Sequence, residues 1–175
     1  MWFWQAAGSG RTGLPYGREE STVQGSVSVT MNAPAQKVWE LVSDVRNTGR
    51  FSPEVMEAEW LDGVTGPALG AKFRGHVRRN EIGPVYWTTC RVTACEPGRE
   101  FGFEVLVGDR AVNNWHYRFT PVDGGTEVTE SFRLNDSPLM RVFAVAGGQL
   151  RRRRNIRDMR KTLERIRDVV EGEPS

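Results

Sequence analysis

One carboxylate stands where the pattern calls for an apolar side chain. In NNWHYRFTPVDGGTEVTESFRL, residues 113–134, Trp115, Tyr117 and Phe119 alternate along one strand and Val128, Phe132 and Leu134 along the next. Between Val128 and Phe132 the same face carries Glu130. A charge there is costly unless it is paired or hydrogen-bonded. In one role Glu130 is a cavity group that orients a ligand hydroxyl or amine, or a general base with a raised pKa. In the other it is half of a buried ion pair, or is carried to the rim by strand twist. Arg91, which shares the parity of Trp87 and Thr89, and Arg153, on the helical stripe between Leu150 and Ile156, are the candidate partners. An arginine is the better match to the pattern than a substrate. Tyr117 adds a hydroxyl on the same face that can bind or donate, so Glu130 and Tyr117 are the candidates for acid–base work.

The other reactive side chains point elsewhere. His76 and His116 are the only histidines, and alternation turns each away from its apolar neighbours toward solvent. Cys90 and Cys95 lie an odd number of residues apart, on opposite faces of a shared strand, so a disulfide between them is not expected. These few ligands do not assemble a zinc site of the usual kind, and neither a metal nor a cofactor is expected. There is no nucleophile elbow, phosphate loop or dinucleotide fingerprint. The run RRRR, Arg151 to Arg154, could face a weak anionic partner. Four consecutive helical residues cannot share one face, however, and Asp158, Glu164 and Asp168 dilute the field. With a net charge of +2, nucleic acid is not an expected partner.

The elements that must hold Glu130 follow from periodicity. Val23, Val27, Val29 and Met31 alternate, giving a first strand. Asn32 then suits a helix N-cap and Pro34 a first helical turn, ahead of an apolar stripe at Val38, Trp39, Leu41 and Val42. Residues 54–135 read as about six strands joined by short turns, an antiparallel meander. From Pro138 to about Glu171 the apolar spacing becomes three or four, which makes a long amphipathic helix, with Gly147 and Gly148 inside it. That helix is the only element long enough to cover the concave face of such a sheet. Residues 1–21 carry four aromatics (Trp2, Phe3 and Trp4 among them as the anchor alternative) but no basic region or sustained apolar run, and are expected to be a flexible extension before a domain at 22–172. No stretch is apolar enough to span a membrane, and a cytoplasmic location with reduced thiols is expected.

Five segments in this order resemble a known superfamily: NAPAQKVWELVSDVRNTGRFSPEV (32–55), GAKFRGHVRR (70–79), WTTCRVTACEPGREFGFEV (87–105), WHYRFTPVDGGTEVTESF (115–132) and NIRDMRKTLERI (155–166). Together they resemble the helix-grip (SRPBCC) superfamily of START lipid-binding domains and the major birch-pollen allergen, and within it the bacterial polyketide cyclase/dehydrase and lipid-transport family. The resemblance spans about residues 22–170. It implies an α+β helix-grip fold, a curved antiparallel sheet wrapped on a long C-terminal helix with two short helices after the first strand. It also implies a cavity between helix and sheet for a hydrophobic small molecule, a lipid or a polyketide-like compound. The expected cavity residues are Phe73, Trp87, Arg91, Phe101, Phe103 and Trp115, with Tyr117, Glu130, Phe132, Phe143 and Arg153. Met140 and Phe143, with Phe51 and Trp39, are candidates for its mouth. Binding or transport is the leading expectation. A cyclase, aromatase or dehydratase using the polar cavity residues is the second, and a regulatory protein using the basic helix the third.

Overall fold

The computed structural model describes residues 24–78, 83–135 and 138–172, with side chains in the last stretch from Arg152 onward. The proposed extension at 1–21 and the side chains of Met140, Phe143 and Arg151 lie outside the described residues. Seven strands form one antiparallel sheet: β1 (Gln24–Met31), β2 (Val55–Trp60), β3 (Lys72–Arg78), β4 (Val85–Glu96), β5 (Glu100–Val107), β6 (Arg110–Val122) and β7 (Gly125–Leu134). Their spatial order is β1-β7-β6-β5-β4-β3-β2. After β1 the chain passes through α1 (Ala35–Ser43), a 3₁₀ turn at Val45–Asn47 and α2 (Thr48–Phe51). This crossover delivers it to the far edge, and the meander then returns strand by strand until β7 pairs with β1. The last element, α3 (Pro138–Gly172), runs unbroken through Gly147 and Gly148.

Helix and sheet meet through a narrow stripe. Met159, Leu163, Ile166 and Val170 recur at intervals of three and four, and each is at most 3% exposed. They pack with Met31, Val38, Phe101 and Val128 in one core. Each side chain so removed from water contributes roughly 1.5–3 kcal/mol. The helix lies along β1 and reaches β7. Of the arginine run, Arg152, Arg153 and Arg154 are exposed, and the Arg152 Nε donates to the Gln24 carbonyl at 3.1 Å.

Two local expectations fail for identifiable reasons. Asn32 does not cap α1; Pro34 occupies the N-cap without a side-chain hydrogen bond. The Asn32 amide instead donates to Glu171 Oε1 at 2.8 Å, tying the entrance of α1 to the end of α3. Strand β4 breaks the simple alternation. A bulge between Val92 and Ala94 places both Val92, opposite Phe103, and Cys95, opposite Phe101, on the concave side. Cys90 and Cys95 therefore share a face, and both are free thiols. Among the described residues no helix is long and apolar enough to cross a membrane.

The crossover is held against the sheet edge by a backbone contact. A Cβ on Gly49 of α2 would lie 2.2 Å from the Met56 carbonyl oxygen of β2. Only glycine permits that approach, so Gly49→Ala is expected to cost about 1–3 kcal/mol through forced displacement. The cost would appear as a lower midpoint in urea unfolding. An unchanged midpoint would mean that α2 does not depend on resting against β2.

Candidate functional site

The concave face is not filled. Between it and the helices lies a cavity of about 180 Å³. Its walls, among the described residues, come from every strand from β2 to β7. Strand β3 contributes Phe73, Gly75 and Val77, and β4 contributes Tyr86, Thr88 and Cys90. Strand β5 adds Phe101, Phe103 and Val105, β6 adds Asn113, Trp115 and Tyr117, and β7 adds Glu130. Asp158, Met159 and Thr162 of α3 close one side, and Phe51 to Val55 with Thr48 line another. The aromatic walls are locked edge to face, with Phe73 and Phe103 centroids 5.2 Å apart and Trp60 and Phe73 5.7 Å apart. In this loop the Ser52 hydroxyl accepts from the Glu54 and Val55 amides at 3.2 and 2.9 Å, while Arg165 of α3 donates to the Ser52 carbonyl at 3.3 Å.

Glu130 is 3% exposed, and its partner is a tyrosine rather than an arginine. Tyr117 lies directly opposite on β6, and its hydroxyl donates to Glu130 Oε1 at 2.7 Å. The second carboxyl oxygen, Oε2, is buried with no hydrogen-bond partner, as is Asn113 Oδ1 in the same cavity. Burial pushes the Glu130 pKa up to about 8, and the hydrogen bond from Tyr117 opposes that shift without cancelling it. Burial, and then the neighbouring Glu130 charge, pushes Tyr117 well above its ordinary value. At neutral pH the pair is therefore mostly uncharged, which is how a carboxyl persists here without a cation. A neutral carboxyl can donate as well as accept, so this corner can hold a ligand oxygen or pass it a proton. Cys90 also lines the cavity, but burial pushes its thiol up to about 12, so it does not supply a nucleophile near neutrality.

The structure brings together Phe73, Phe101, Phe103, Trp115, Tyr117 and Glu130 around this space. It does not bring Trp87, Arg91 or Arg153 there. Arg91 faces outward and binds Glu104, its Nε donating to Oε1 at 2.7 Å. Trp87 is 43% exposed on the convex face, stacked on His76 at 4.5 Å with the Arg74 guanidinium over its ring. Arg153 is exposed on α3. Phe132 backs the cavity rather than lining it, with its ring 5.6 Å from that of Trp115. His76 and His116 sit on the convex face and engage Glu57 and Glu100 at 3.0 and 3.2 Å. Of the candidate mouth residues, Phe51 lines the cavity, whereas Trp39 is a core residue whose indole N–H donates to the Glu100 carbonyl at 2.9 Å. Sequence reasoning missed Asn113 altogether, although it shares the parity of Trp115 and Tyr117. Among the described residues no cluster of three metal-ligating side chains occurs.

Comparison with known proteins adds to this geometry. Residues 22–171 match the profile of a family described as polyketide cyclase / dehydrase and lipid transport. No curated protein matches the chain. The solution structure of the Polyketide_cyc-like protein Cgl2372 from Corynebacterium glutamicum is similar, at 29% identity over 87% of this chain and 93% of that one, with a TM-score of 0.61. DR_A0006 from Deinococcus radiodurans shares the fold at 21% identity, covering 86% of this chain and 99% of its own, with a TM-score of 0.60. The di-domain ARO/CYC StfQ from the steffimycin biosynthetic pathway superposes with a TM-score of 0.68 at 14% identity. There 86% of this chain corresponds to 51% of that one.

The raised pKa of Glu130 has a stability consequence. A folded-state value near 8 against an ordinary 4.5 means the proton is held more tightly in the folded chain. This contribution is complete below about pH 4.5 and is lost as pH rises through about 8, on the order of 5 kcal/mol in total. Glu130→Gln keeps an acceptor for Tyr117 and removes the titration. Urea unfolding at about pH 5 and about pH 9 should therefore show the variant gaining on the parent at the higher pH. A stability difference that does not change with pH would contradict a buried, neutral Glu130.

Proposed function

The chain belongs to the polyketide cyclase / dehydrase and lipid-transport family, and on that premise we propose that it binds a hydrophobic small molecule in the cavity between the sheet and α3. The observation that carries this reading is the unpartnered Glu130 Oε2, buried in a cavity walled mostly by aromatic and aliphatic side chains. Native interiors seldom leave a polar atom without a partner; water serves when the cavity is empty, and a ligand group takes its place when the cavity is filled. Apolar walls strip the ligand of water and provide affinity. Tyr117 and Glu130 fix its orientation at one end, and the Ser52 loop, held by Arg165, frames its entry.

A second reading, catalysis on a polyketide-like compound, draws support from the same dyad. A carboxyl with a pKa near 8 retains its proton at neutral pH yet can release it. Glu130 would donate that proton to a ligand carbonyl oxygen as charge develops there, and recover it in a later step. The cavity walls would meanwhile hold the reacting carbons together. The regulatory reading gains less from the helix, where Arg157 and Arg167 are paired with Asp158 and Asp168.

Native mass spectrometry of the purified protein, with extraction of whatever co-purifies, tests the binding reading directly. Gly75→Leu supplies the control. A Cβ at Gly75 meets only ordinary contacts, Val55 at 3.5 Å and Thr88 at 3.7 Å, and the residue lines the cavity. The larger side chain should fill the space and weaken binding by at least about tenfold while the chain stays folded. Retained binding in that variant would place the ligand elsewhere.

A further inference from the structure

The cavity carries information about the kind of molecule it takes. Resting on the binding reading above, we propose that it selects a compact, uncharged compound of one or two rings, with a hydroxyl at one end and a carbonyl at the other, and rejects carboxylates and other anions.

Charge is the first argument. The carboxyl-bearing residues lining the cavity are Glu54, Glu130 and Asp158, and among the described residues no lysine, arginine or histidine joins them. The two arginines nearest to that role in the sequence are turned away, Arg91 to Glu104 and Arg153 to solvent. An anionic ligand would bury its charge beside carboxyl groups, and no cation among the described lining residues offsets its lost hydration.

The two orphaned atoms supply the second argument. Asn113 and Tyr117 are four residues apart on the same face of β6, roughly 13 Å along the strand, with Trp115 between them. Asn113 Oδ1 can only accept, so the group that meets it must donate. At the other end Tyr117 already donates to Glu130 Oε1, which leaves Oε2 as the oxygen from which the carboxyl, neutral below about pH 8, would present its own hydrogen. The group that meets it must accept. A donor and an acceptor at opposite ends of an apolar body satisfy both.

Size is the third. A dry cavity of about 150 Å³ accommodates a benzene ring, and this one measures about 180 Å³. Between the polar ends Phe73, Phe101, Phe103 and Trp115 present ring faces and edges. One or two rings fit that band.

Three probes built on naphthalene separate these terms, measured by calorimetry on the full chain. They are a hydroxyacetylnaphthalene with its groups at opposite ends, the acetylnaphthalene lacking the hydroxyl, and the corresponding hydroxynaphthoate. Native mass spectrometry of whatever apolar molecule co-purifies reports occupancy of the cavity independently of these probes. The hydroxy ketone should bind about tenfold tighter than the plain ketone and about a hundredfold tighter than the carboxylate. Asn113→Leu should erase the gain from the hydroxyl while leaving affinity for the plain ketone nearly unchanged. A carboxylate that binds as well as the ketone, or a hydroxyl that adds nothing, overturns the proposal. If an apolar molecule co-purifies and no naphthalene binds, the proposal falls and the binding reading stands. If nothing co-purifies and none of the three binds, both fall.

Discussion

One helix has to cover a seven-stranded sheet, and it is not wide enough. Seven strands at their usual spacing span about 29 Å, whereas a helix with its side chains is about 10 Å across. The sheet can only close around α3 by curling, and even then the helix seals one part of it. Here the sealed part is the side of β1 and β7, where Met159, Leu163, Ile166 and Val170 enter the core. The remainder, from β3 to β6, faces a space that α1, α2 and the loop after them roof over without filling. The cavity is thus a result of the mismatch between sheet and helix, present before any residue is chosen for chemistry.

Strand β7 runs along the boundary between these two regions, and Glu130 shows what that position allows. Its neighbours on the strand, Val128 and Phe132, are core residues. Glu130 itself looks into the cavity, where one oxygen is satisfied by Tyr117 and the other is not. In a fully packed interior an unpaired carboxyl of this kind would be a fault costing several kcal/mol. At the edge of a cavity its cost is reduced by protonation, and the space leaves room for a group that would meet the free oxygen. The state of its proton therefore bears on folding and, in the binding reading proposed above, on recognition as well.

How much of this was legible in the sequence depended on whether a segment obeyed simple alternation. Strands β1, β6 and β7 did, so their inward faces were readable, as were the outward His76 and His116 and the long C-terminal helix. The Tyr117–Glu130 pair was also within reach. A two-residue turn at Asp123 and Gly124 sets the register of the hairpin, and counting outward from it places those two residues opposite each other. The arginine expectation overlooked that local constraint in favour of a distant charge. Strand β4 was misread because its polarity is inverted relative to its geometry. Its inward side carries Thr88 and Cys90, which a cavity wall tolerates, while its outward side carries Trp87, whose ring is covered by Arg74 and His76. The bulge then shifts Cys95 to the other parity. Asn113 escaped notice because a polar residue draws attention only once the space around it is known to be dry.

The contact between α2 and β2 has a consequence for the molecule in company. Strand β2 is an edge of an open sheet, and such an edge offers a row of unpaired backbone groups to any other chain. The close approach of Gly49 to Met56 lays α2 against this strand, and the same short helix ends in Phe51, which lines the cavity. The same helix that lines the cavity therefore also shields the open edge of the sheet, so whatever loosens α2 exposes backbone to strand-to-strand pairing.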